Sequence, residues 1–147
     1  MDAKRLAIGT LVGGIAMYVV GYLIFEVAFA AFYAANAGSA TGVARDVNLE
    51  WAVALGTLAY AALVTLGIGN QSGPSTIAAG IKTGAVVGFL LWFTADFIFY
   101  GITNVANLTR AVADPLLELV RGGIGGAVIA ASLGKLVQSE RREPARV

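Results

Sequence analysis

Cysteine and histidine are both missing from this 147-residue chain, proline occurs only 3 times, and charged residues make up 13%. Without cysteine there are no disulfides, thiolate metal centres or thiol nucleophiles. Without histidine there is no imidazole to ligate zinc, haem or chlorophyll, and no Ser-His catalysis. No Walker loop, dinucleotide fingerprint or basic nucleic-acid patch occurs either. The chain is therefore expected to be no enzyme, to hold no cofactor or metal, and to bind no nucleic acid. A charge content of 13%, against about 25% in soluble domains, is too low for a water-facing surface.

Apolar residues fill that gap. They make up 58% of the chain, against roughly 45–50% in soluble domains. The length suits three or four spanning helices of about 20 residues and leaves no room for a soluble domain. The composition predicts one all-α transmembrane domain over residues 1–137, an up-down bundle of four helices at about 6–35, 51–68, 77–103 and 116–137. A charged tail at 138–147 follows. The first run, broken only by Glu26, is longer than the apolar core of a cleaved signal peptide, so a retained signal-anchor helix is expected. At ~1.5 Å per residue it would extend ~45 Å, past a hydrocarbon core of ~30 Å, and must tilt, bend or protrude.

Punctuation between the helices follows the usual chemistry. Residues 36–50 are small and polar, and GNQSGPST at 69–76 is an uncharged turn in which Ser75 or Thr76 can cap the third helix. Pro115 suits the first turn of the fourth helix, with Asp114 as its N-cap. Asn107-Leu108-Thr109 fits the glycosylation acceptor pattern but lies close to the membrane. With four spans, Lys4, Arg5, Lys82, Lys135, Arg141, Arg142 and Arg146 fall on one side, and only Arg45 and Arg110 on the other. Both termini are therefore expected in the cytoplasm.

The stretch from Ile77 to Asn107 organises the rest. Every fourth residue forms one row, Gly80, Gly84, Gly88, Trp92, Asp96, Tyr100 and Asn104. Its glycines let membrane helices approach closely. Its acid is costly in an apolar run unless partnered or protonated. The fourth helix reverses the pattern with Asp114, Glu118, Gly122, Gly126, Ala130 and Gly134. Laid antiparallel, glycine meets glycine in the inner half, and Asp96 and Tyr100 come level with Glu118 and Arg121. Glu26 reaches a similar height on the row Gly14, Tyr18, Tyr22, Glu26. This predicts a bundle tight below and splayed above, with a polar cavity opening outward.

Glu26, Asp96 and Glu118 face Arg121 alone, a formal excess of two acids. Such a site must hold a proton, a cation or a basic partner. Asp96 is expected to pair with Arg121, and Glu26 to carry the proton. Plainer roles are open to each of these residues: packing for the glycines, a cap for Asp114, an interfacial ion pair for Glu118 with Arg121.

The text ADFIFYGITNVANL, through Thr103, Asn104, Ala106 and Leu108, resembles the TN-x-A-x-L segment of small bacterial four-helix membrane families of unknown function. Gly101 stands where those families carry an acid. The resemblance implies a bacterial inner-membrane protein and no particular activity.

Two functional expectations follow. The first is an interaction protein of the lipid bilayer, a homo-oligomer or an accessory subunit bound to other membrane subunits. The second is a small proton-coupled transporter of a cationic or hydrophobic solute, similar to small multidrug transporters in its size and in carrying an acid in its first helix.

Overall fold

The computed structural model describes residues 1–72 and 75–142. Gly73 and Pro74 of the expected turn, and residues 143–147 of the expected tail, lie outside the described residues. The described chain is all-helical: α1 (Ala3–Gly21), a π-helical segment (Tyr22–Ala28), α2 (Ala30–Ala35), α3 (Glu50–Gly69), α4 (Ile77–Ile102) and α5 (Leu108–Arg142). Four stretches, Ala3–Ala28, Glu50–Gly69, Ile77–Ile102 and Leu108–Ser139, are long and apolar enough to cross a membrane. The chain is a multi-pass membrane protein, and helices suit that setting because every internal backbone group bonds within its own segment.

Helix α1 starts where the side chain of Asp2 accepts a hydrogen bond from the Arg5 N–H at 2.8 Å. That N–H holds the Asp2 carboxyl below the usual carboxylate range. The long first run does not continue as one regular helix. After Gly21 it winds into the π segment, where the Phe29 N–H reaches back to Ile24 O at 2.8 Å, and the chain bends at Phe29 before α2. Widened turns carry Glu26 away from the four-residue row expected with Tyr18 and Tyr22. The bend also resolves the excess length.

The side chain of Thr76 caps α4 by accepting from Ala79 N at 3.1 Å. Helix α5 differs from expectation at both ends. It starts at Leu108, with the Asn107 side chain accepting from Arg110 N at 2.9 Å, and continues to Arg142 through what reads as tail. Pro115 therefore lies inside the helix and is fully buried. It removes one backbone bond and crowds the preceding turn. Asp114 is a buried interior residue of α5, not its cap.

Small residues decide the packing. A Cβ on Gly80 or Gly84 would collide with the backbone of Gly126 or Gly122, and one on Gly88 with the Glu118 carbonyl. Helices α4 and α5 thus lie antiparallel with their backbones in contact. On α1, Gly9 faces Thr65, Gly14 faces Leu58 and Gly13 faces Ile129, which seats α1 against both α3 and α5. Met17, Tyr60, Ala61, Val64, Ile68, Ile129, Ala130 and Leu133 form the core among these three helices. Helix α4 joins mainly through α5.

Two irregular connections are clasped together. Gly38 N donates to Val105 O at 3.2 Å, Ala40 N to Asn104 O at 3.0 Å, and the Asn107 side-chain amide to Asn36 Oδ1 at 3.1 Å. A Cβ on Gly38 would overlap the Asn104 carbonyl, so the approach requires glycine there. The Thr103–Leu108 segment that carries the family resemblance is thus half of a structural clasp.

Candidate functional site: a buried ion pair beneath an acidic cleft

Arg121 projects from α5 into the middle of the bundle and is 7% exposed. Its Nε donates to Met17 O at 2.8 Å, one terminal nitrogen to Glu118 Oε1 at 2.8 Å, and the other to Thr57 Oγ1 at 3.1 Å. One guanidinium therefore joins α1, α3 and α5, as its fixed fork of donors allows. The rings of Phe25 and Tyr60 lie 5.9 and 5.8 Å from its carbon centre. Gly21 makes the passage possible, because a Cβ there would lie 2.8 Å from the guanidinium.

The cation is thus taken by Glu118, one turn earlier on the same helix, and not by Asp96. The expected pairing of Asp96 with Arg121 does not form. The i,i+3 geometry wins because both side chains then emerge on one face of α5.

Above this pair opens a cleft of about 390 Å³, bordered by Glu26, Tyr33, Trp92, Arg110, Asp114 and Glu118. The hydroxyl of Tyr33 donates to Asp114. Burial first, and the Asp114 carboxylate second, push the Tyr33 phenol far above the ordinary tyrosine range. The Arg110 guanidinium lies 4.8 Å over the Tyr33 ring. Asp96 lies near enough to Asp114 for the two carboxylates to feel each other's charge. Two carboxyls that close need a shared proton or an intervening cation.

Three buried polar atoms here have no partner among the described residues: Trp92 Nε1, Asp96 Oδ2 and Glu118 Oε2. Unpartnered buried groups cost about 1–3 kcal/mol each, so three in one neighbourhood call for an explanation. Glu26 is exposed on the π segment and borders both this cleft and a second one of about 290 Å³ beside Tyr18, Glu50 and Arg121. Tyr18 donates to Glu50 in that second cleft. Tyr100 is 41% exposed and does not border the acidic cleft.

Of the acids and the cation singled out from sequence, the structure gathers Glu26, Asp96, Glu118 and Arg121 and leaves Tyr100 aside. It adds Tyr33, Arg110 and Asp114. A signal for two of these was present, since Arg110 and Asp114 extend the four-residue row of Glu118, Gly122 and Gly126 by two turns. Tyr33 enters only because the bend at Phe29 redirects α2.

No protein family, curated protein or solved structure matches this chain. The site must be read from its own chemistry.

Removing the Tyr33 hydroxyl tests the upper part of the cleft. Tyr33→Phe should cost about 1–2 kcal/mol and raise hydrogen exchange in residues 30–40 while leaving α4 and α5 protected. Because the folded phenol titrates above free tyrosine, this contribution is present below pH ~10. It should fade only as pH rises further through the folded value, with phenolate absorbance as the readout.

Proposed function

We propose that the chain is an integral membrane interaction protein, an oligomerising or accessory subunit of a membrane complex. In this reading it sits in the bacterial inner membrane as an up-down bundle with both termini cytoplasmic, following the Lys and Arg bias. The observation that carries it is the unequal cover of the helices. Over an apolar stretch of 18 residues, only 6% of α4 is buried, against 50% of α5. Helix α4 also bears a stacked ladder, Phe89, Phe93 and Phe97, with ring centroids 5.5 and 4.4 Å apart, Phe93 exposed and the other two half-buried.

A second feature supports the same reading. Between α3 and α4 runs a groove of about 460 Å³ bordered by Ala52, Gly56, Ala59, Leu63, Leu91 and Trp92. Gly56 has open space where a Cβ would stand. Small residues left unused inside one bundle are what a further transmembrane helix packs against.

The test is recovery in nanodiscs with mass analysis of everything bound, for the native chain and for Gly56→Leu. Stoichiometric extra copies or other subunits with the native chain, lost in Gly56→Leu, would support the reading. Thermal stability of the variant should not fall by more than about 0.5 kcal/mol, because a Cβ at Gly56 meets nothing within 4 Å and leucine is the better helix former. A native chain that remains a bare monomer would sink the reading.

A small proton-coupled transporter is the second reading, and the acidic cleft favours it. Glu26→Gln and Asp96→Asn separate the two. Proton-coupled uptake should vanish in a transporter, whereas assembly should survive.

A further inference from the structure

We propose that the cleft over the Glu118–Arg121 pair is a binding site for an organic cation, a guanidinium or alkylammonium group held by Asp114 and Glu118, with the charge of Asp96 beside them. The inference stands independently of the assembly reading. Four acids, Glu26, Asp96, Asp114 and Glu118, share this neighbourhood with two arginines. Arg121 is spent on Glu118, Thr57 and Met17. Arg110 lies over Tyr33 and forms no ion pair with an acid among the described residues. Two carboxylates are therefore in excess in a low-dielectric setting.

Two of the three unpartnered atoms, Asp96 Oδ2 and Glu118 Oε2, are acceptors that want a donor, while the third, Trp92 Nε1, is itself a donor. Glu118 is 1% exposed, yet its Oε2 has no partner, and Asp96 Oδ2 lacks one too. A guanidinium brings five N–H donors and an alkylammonium three, together with the positive charge that the acids lack. A bare metal ion fits worse, since no three acids among the described residues converge closely enough to hold one. The walls favour an organic group. Phe25, Tyr33 and Trp92 border a space of about 390 Å³, inside the range of about 300–1,000 Å³ usual for small ligands, and aromatic faces attract cations.

The same group could arrive as a free solute or as a Lys or Arg side chain of a neighbouring subunit. Either source presents identical chemistry to the acids.

The experiment uses the full chain in nanodiscs with Trp51→Phe, which leaves Trp92 as the sole indole. Methylguanidinium and ethylammonium are titrated against sodium at matched ionic strength, with Trp92 fluorescence as the readout. A saturable response to the organic cations, absent with sodium, is expected. Asp96→Asn and Asp114→Asn should each weaken it about tenfold or more, the loss of a neighbouring charge in the first and of a charge-assisted bond in the second. Arg110→Gln, which removes a competing cation, should strengthen it. That opposite sign separates binding from loss of fold. No saturable response, an equal response to sodium, or native affinity in both amide variants would overturn the proposal.

The arms also separate the sources. Release of a bound subunit as methylguanidinium saturates the site would identify a partner's side chain as the natural occupant, and saturation with nothing released would identify a free solute. Saturation in a chain that purifies as a bare monomer would keep this site while removing the assembly reading. A stoichiometric subunit with no response to either cation would do the reverse.

Discussion

Arg121→Met should destabilise the bundle by about 3–5 kcal/mol, the cost of breaking a buried ion pair from one side. The pair is the more enclosed of those among the described residues, with side-chain exposures of 8% for Arg121 and 1% for Glu118. Methionine approximates the volume but supplies none of the three donors. Glu118 would be left as an uncompensated carboxylate beside apolar α1 and α3, and Thr57 and Met17 O would each lose a partner. Arg121→Lys should recover little, because one ammonium on a flexible stem cannot reproduce a planar fork reaching three helices.

The double variant Glu118→Gln with Arg121→Met decides the cause. If the loss comes mainly from stranding the carboxylate, the double variant should regain more than half of it, since replacing both partners is far cheaper than removing one. If the double variant is no better than Arg121→Met alone, the arginine matters for the bonds that tie α1 and α3 to α5, and not for its charge. Thermal unfolding in a mild detergent, followed by tryptophan fluorescence, reads both. Loss of signal on Arg121→Met that is smaller than about 1 kcal/mol would mean that water reaches the pair through the cleft above it.

Much of this arrangement was legible in the chain, and the exceptions have identifiable causes. Composition and run length suffice for four spanning helices, because in a bilayer the solvent itself dictates apolarity and length. The glycine rows of α4 and α5 were equally readable, since a spacing of four residues specifies a face without reference to any other helix. Features that depend on two segments meeting were harder. Asp114 beside Pro115 reads as a cap, yet Asn107 starts α5 a full two turns earlier, and nothing local distinguishes a tolerated interior proline from one that opens a helix. The π segment left no periodic trace in a run that is apolar on every face. It displaced Glu26 and brought Tyr33 to Asp114, which is why the cleft gained a tyrosine that spacing alone did not suggest. Pairing of Arg121 with Glu118 over Asp96 was settled by geometry within one helix, a choice between two acids that charge counting cannot make.

Gly84→Leu should detach α4 from α5. A Cβ at Gly84 would already press on the Gly122 carbonyl and lie 3.1 Å from the Gly126 Cα, so the obstruction is backbone and cannot rotate aside. Overpacking a core costs about 1–3 kcal/mol even where side chains can yield, and here they cannot. Helix α4 also has little else to hold it, since only Gly80, Gly84 and Gly88 of its residues are buried. The absence of native cysteine permits a direct readout. A Cβ built on Gly123 lies 3.8 Å from the Ala85 Cβ, inside the range of about 3.5–4.5 Å that a disulfide spans. The pair Ala85→Cys and Gly123→Cys should therefore cross-link α4 to α5 under mild oxidation. Adding Gly84→Leu should abolish the cross-link, Gly84→Ala should weaken it, and Gly101→Leu, at a glycine with open space around it, should leave it intact. A cross-link that forms equally well with Gly84→Leu would mean that α4 is held by contacts other than its glycine row. Because the same helix carries Trp92 and Asp96, its detachment should also take Trp92 from the cleft wall and Asp96 from the neighbourhood of Asp114, and the response to methylguanidinium should disappear together with the cross-link.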